Sequence, residues 1–298
     1  MTSESKYSDY LIYIEFIEGY SVRNLFDYLR QTHKQTNNNL TRFVFSKNQI
    51  RLTEFNRSDN LVNQMIIANP QQDLPRYFYN SENDSGEKKC LFVTVEINEL
   101  KTHFRNMTKK DGVKLWILKS DPEMLHIVPN TRNLGTQDSQ DKWIKILRDQ
   151  DAEDFDDLTL PTEEPSATKL LANFCKDCSS NVGIRCKEIL CYGGTDFVEF
   201  QSLRDGDVSG LTNRFGERNS NEYHMTKDVD GNEIKFVIRI KPHIIKALSK
   251  MTNITGSNQV RLYMKSESPL CITTSVGNYG RLTIFIGDKN IPLSDTNE

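Results

Sequence analysis

Cys175-x-x-Cys178 is followed by Cys186 and Cys191, and four thiolates make a zinc site when the chain folds them around one ion. The spacing argues against it. Cys175 and Cys178 sit in a helical pattern and Cys186 and Cys191 in a strand pattern, whereas zinc knuckles hold their ligands in tight polar turns. Buried free thiols are the favoured reading over a metal. The histidines (His33, His103, His126, His224, His243) show neither metal nor triad spacing. Asp156-Asp157 lies in an acidic run, where solvation explains it. Gly193-Gly194 is a turn dipeptide, and no G-x-x-x-x-G-K-[ST] loop occurs. The chain reads as a non-enzyme with no cofactor and no metal.

Phosphate binding is the chemistry that remains. Arg23 and Arg30, Lys101 and Arg105 (with Lys109 and Lys110 just beyond), Lys169 and Lys176, and Lys246 and Lys250 fall on four helical patterns. Partners four or seven residues apart share a helix face, here the face away from the apolar stripe. Any one such pair is an ordinary solvated face. Its recurrence on four helices tips the reading toward double-stranded DNA, held through phosphates without sequence preference. A net charge of −3 argues against a generally basic nucleic-acid binder but allows a local basic surface, because the acids gather in "DQDAEDFDD" (149–157) and the loops.

These cations need elements to carry them. At 298 residues, 37% hydrophobic and 27% charged, the chain suits one large or two average soluble domains. No apolar run is long enough for a bilayer and no signal-peptide pattern opens the sequence, so neither secretion nor a membrane span is expected. The periodicity is α+β: four strand–helix–strand–strand units. Helix stripes are Val22, Leu25, Phe26, Leu29; Leu100, Phe104, Met107; Ala167, Leu170, Leu171, Phe174; and Ile244, Ala247, Leu248, Met251. The third unit is expected to begin with a strand at Leu158 and Leu160. "DKWIKILR", with Trp143, Ile144 and Ile146 between lysines, reads as an apolar edge strand. Residues 69–89 and 203–232 read as loops with little structure.

The chain resembles the DNA sliding clamps of the proliferating cell nuclear antigen family. "SPLCITTSVGNYGRLTIFIGDK" is similar to that family's closing strands, "KWIKILRDQDAEDF…LTLP" to its end-of-domain strand and acidic connector, and "RFVFSKNQIRLTEFN" to its first hairpin. The resemblance implies two domains (1–148 and 158–298) around a connector (149–157), with sheets outside and helices lining a central channel. It implies a processivity factor, a homotrimer joined head to tail, recruiting DNA polymerase and other PIP-box-type partners of replication and repair. It would work at the site of replication: the nucleus, or a cytoplasmic viral factory, since long loops and divergent sequence suggest a viral or remote member. Phe55, Pro269 and Phe285 then fall at the partner pocket, although Phe55 and Phe285 read equally as core. Phe155 is the better connector residue, as Leu158 and Leu160 serve the next strand. Trp143, Ile144 and Ile146 would meet a neighbour's Val208 and Leu211. The alternative is a clamp-fold viral transcription or replication accessory without a closed ring.

Overall fold

The computed structural model describes residues 7–32, 40–80, 89–130, 142–147, 158, 161–182, 186–204, 210–254 and 259–288. In β1 (Tyr10–Phe16), Ile12, Ile14 and Phe16 face the core at the two-residue period of a strand. The period then becomes 3.6 in α1 (Gly19–Thr32), whose Val22, Leu25, Phe26 and Leu29 are all buried. β2 (Leu40–Phe45) and β3 (Ile50–Asn56) form the expected hairpin, closed by the Ser46 N–H donating to the Gln49 carbonyl at 2.9 Å. β4 (Leu61–Ile67), a single turn α2 (Pro70–Asp73) and β5 (Arg76–Tyr79) complete the first unit. The second contains β6 (Leu91–Glu96), α3 (Ile97–Phe104), β7 (Gly112–Leu118), β8 (Asp121–Asn130) and β9 (Lys142–Lys145).

The other half repeats the plan. It runs β10 (Ala167–Leu170), α4 (Leu171–Asn181), β11 (Cys186–Gly193), β12 (Phe197–Arg204) and β13 (Thr212–Gly216), then a separate hairpin of β14 (Met225–Lys227) and β15 (Glu233–Lys235). β16 (Ile238–Ile240), α5 (Pro242–Leu248), β17 (Gln259–Tyr263), β18 (Leu270–Val276) and β19 (Gly280–Ile286) close it.

In each half the first strand of one unit completes the sheet of the other: β1 pairs with β7 and β6 with β2, as β10 pairs with β17 and β16 with β11. Neither unit has a whole sheet alone. β4 then pairs with β19, fusing the halves into an eight-stranded sheet, β10-β17-β18-β19-β4-β3-β2-β6. A five-stranded sheet, β5-β1-β7-β8-β9, and a four-stranded sheet, β13-β12-β11-β16, lie at the two ends. α1 packs against α3 and α5, and α5 against α4, giving one helix layer in the order α3-α1-α5-α4. Its apolar stripes and the inner sheet faces share one continuous core.

Three expectations are corrected. The strand before α4 is β10, not a strand at Leu158; Ala167 and Leu170 belong to it, and Leu170 is exposed rather than on a helix stripe. Lys169 is therefore a strand residue and does not share a helix face with Lys176. Residues 69–89 and 203–232 are not merely loops, since they supply α2, β5, β13 and β14. The units also carry a third strand after the helix, β4, β9, β13 and β19 in turn.

Candidate functional site

The helix layer turns a polar face away from the sheets, and nearly all the cations singled out for phosphate contact stand on or beside it. Arg105, Lys109, Lys110, Lys176, Lys246 and Lys250 are exposed. Three others are tethered at the α1–α3 seam. Arg23 donates to the Met107 carbonyl at 2.8 Å and pairs with Asp27 at 3.7 Å, Lys101 reaches Asp27 at 3.4 Å, and Arg30 donates to the Asn98 amide oxygen at 2.9 Å. Lys169 is drawn off this face by Asp177, 2.6 Å away, and by the ring of Phe215. Lys169 is the one assigned cation that the fold places elsewhere.

On the opposite surface, five residues from five strands fall into one row: Phe55, Val62, Phe285, Cys271 and Tyr263. Each is the direct cross-strand neighbour of the next, so their side chains meet on the outer face of the eight-stranded sheet. Val62, Cys271 and Phe285 form a buried cluster separate from the main core, and Phe55, Leu158 and Tyr263 pack on it half-buried. Burial pushes the Cys271 thiol up to about 12, which keeps it protonated and inert; a nearby Arg281 only partly offsets this. Leu158 is thus a cover for the row. Pro269, next to β18, is half-buried and lies outside the cluster. Phe155 and Leu160 lie outside the described residues. Sequence reasoning found Phe55 and Phe285 but missed Val62, Cys271 and Tyr263, because alternation identifies an outward residue without telling which strands lie side by side.

A second missed group ties the halves together. Asp59 accepts from Lys241 Nζ at 2.8 Å, His243 Nε2 at 2.6 Å and Asn56 Nδ2 at 2.8 Å. Burial alone would raise the Asp59 carboxyl, but the hydrogen bonds and charges of His243 and Lys241 outweigh it and hold it below the ordinary 3.8. No cluster of metal-ligating groups occurs among the described residues, where Cys175 and Cys178 are buried in α4. A cavity of about 30 Å³ among Phe16, Phe26, Met65 and Leu115 is apolar and far below ligand size.

Sequence comparison finds no matching family model and no matching curated protein. Structural comparison does find relatives of the fold. The proliferating cell nuclear antigen of Entamoeba histolytica superposes with a TM-score of 0.66 at 12% identity, over 93% of this chain and 98% of its own. The PCNA2–PCNA3 complex of Sulfolobus tokodaii gives 0.65 at 13% identity, over 92% and 98%. The fold is that of a sliding clamp. At such identity the likeness establishes architecture, and the activity has to be argued from the residues.

The clamp fold here ends in two edge strands, β9 on the five-stranded sheet and β13 on the four-stranded one. Trp143 is 56% exposed on β9, while Ile144 is fully buried in its own core and Ile146 is packed against that core. Ile144 is therefore not a surface contact. Alternation decides this: with Trp143 outward, Ile144 must face in. Leu211, beside β13, is 40% exposed, and Val208 lies outside the described residues. Leu170 on β10, the neighbouring edge at that end, is 53% exposed.

Proposed function

We propose that the chain is a DNA sliding clamp: copies of it join β9 to β13 into a ring, most simply a trimer, around double-stranded DNA. As a processivity factor it would tether a DNA polymerase and other replication and repair proteins at the replication site. The observation that carries this reading is the helix layer. In a clamp fold, the face that would line a ring exposes six cations, although the chain as a whole is negative. Phosphate contacts made by long flexible lysines are weak and exchange quickly, which suits sliding. The Phe55–Tyr263 row beneath Leu158 is the proposed seat for an aromatic-bearing partner peptide, with the connector beside it and the domains divided near residues 148 and 158. No chemistry is assigned to the chain, which acts as a scaffold.

A closed ring stays on covalently closed circular DNA and slides off a free end. The protein loaded on nicked circles should therefore be lost when the circle is cut once. Retention on linear DNA equal to that on circles would overturn the ring. One observation favours the alternative, a clamp-fold accessory without closure. Just past β9, the Leu147 N–H donates to the Thr94 carbonyl at 2.8 Å, which uses up part of the strand that a neighbour would pair with. Cutting the circle separates the two readings.

A further inference from the structure

The helix layer has two ends, and its cations are not shared evenly between them. α1 and α3 are antiparallel: Arg23 near the start of α1 holds Met107 beyond the end of α3, while Arg30 near the end of α1 holds Asn98 at the start of α3. The end of α5 lies by the start of α4, where Cys175 Sγ contacts the Leu248 carbonyl. It also lies by the start of α1, through the turn in which Gly277 N–H donates to the Ile254 carbonyl and Asn278 donates to Glu18. One mouth of the layer thus gathers the starts of α1 and α4 and the ends of α3 and α5. Arg105, Lys109, Lys110, Lys246 and Lys250 all belong to this mouth and all are exposed. The acids there are engaged: Glu18 accepts from Ser21 and Asn278, and buried Asp111 accepts from Thr108.

The other mouth differs. Its described cations are Arg30, bonded to Asn98, and Lys241, bonded to Asp59, beside exposed Glu99. Compensation of helix dipoles accounts for a cation in a last turn, as at Lys246, but not for Lys109 and Lys110 on the loop beyond α3. At that loop the Tyr20 ring lies between two cations, 5.8 Å from the Arg23 guanidinium and 5.8 Å from Lys109 Nζ. An aromatic face at this distance attracts both and restrains where they point.

We infer that this chain grips duplex phosphates at one mouth only, through a belt of Arg105, Lys109, Lys110, Lys246 and Lys250, with Tyr20 as a positioning residue for Lys109. The inference rests on the DNA reading above and adds a location to it. A grip at one level along the duplex axis leaves the DNA free to pivot in the other mouth. Binding of the full-length protein to a short labelled duplex, followed by anisotropy across a salt series, tests it. Lys109→Gln with Lys110→Gln, and separately Lys246→Gln with Lys250→Gln, should each flatten the log–log salt slope by about 2, one per lost phosphate contact. Arg30→Gln and Lys176→Gln should leave it unchanged. Tyr20→Leu should weaken binding in the parent and have no further effect in the Lys109→Gln, Lys110→Gln background. Equal flattening by Arg30→Gln or Lys176→Gln would overturn the belt while leaving DNA binding intact. No measurable duplex binding by the parent at low salt would instead overturn the DNA reading itself.

Discussion

Asp59 is the residue on which the two halves meet most directly, and its carboxylate has to be ionised to hold Lys241 and His243. A carboxyl held below its ordinary value in the folded state stabilises that state at every pH above about 4 and loses the contribution as pH falls through the depressed value. Urea unfolding at stepped pH should therefore show stability falling below pH 4 in the parent. Asp59→Asn should cost about 1–3 kcal/mol at neutral pH, the range for a buried polar group that loses partners, and should flatten that acid limb. An acid limb as steep in Asp59→Asn as in the parent would remove Asp59 from the account. The sequence holds no hint of this contact, because its members stand far apart in the chain and meet only after β4 has paired with β19.

At the scale of elements, the row across β3, β4, β19, β18 and β17 makes two of its members unequal. Phe285 is 3% exposed and Phe55 is half-buried. Phe285→Ala should cost about 3–5 kcal/mol, as a core truncation does. Phe55→Ala should cost less and act selectively on capture of an aromatic-bearing peptide, read by calorimetry. Peptide affinity unaltered by Phe55→Ala would move the docking site elsewhere. How well each element could be read depended on whether its residues kept the simple pattern. β1, β3 and β19 alternate cleanly and α1 repeats at 3.6, so they were legible. β4 was not, because its inward Asn63 breaks the apolar alternation: it accepts from Tyr28 Oη at 2.9 Å and donates to Glu54 at 2.7 Å, inside the core. β10 has four residues, Ala-Thr-Lys-Leu, whose apolar pair happens to extend the α4 stripe, so helix and strand merged. The register of the sheets, and with it the row itself, is a long-range property that local periodicity does not carry.

For the whole molecule, the exposed apolar side chains Trp143 at one end and Leu170 and Leu211 at the other suit a head-to-tail contact between copies. Trp143→Lys should leave the melting temperature nearly unchanged, within the roughly 0.5 kcal/mol usual for surface changes, and yield a monomer by light scattering. Ile144→Ala should instead destabilise the fold by about 2–5 kcal/mol. With edge strands of four and five residues, the parent should dissociate on dilution. A parent that is monomeric at every concentration, with and without DNA, would refute the ring.

The pairing of β4 with β19 also bears on how the chain is made. β4 leaves the ribosome early, yet its partner is the final strand of the described structure. At 5–20 residues per second, roughly 10–45 s of synthesis separates the two. Throughout that interval the nascent chain carries an apolar strand edge, Leu61 to Ile67, with nothing to close it. Such an edge is a template for pairing with another nascent chain. The seam that later makes the two halves inseparable is, during translation, the place where the protein most needs a chaperone.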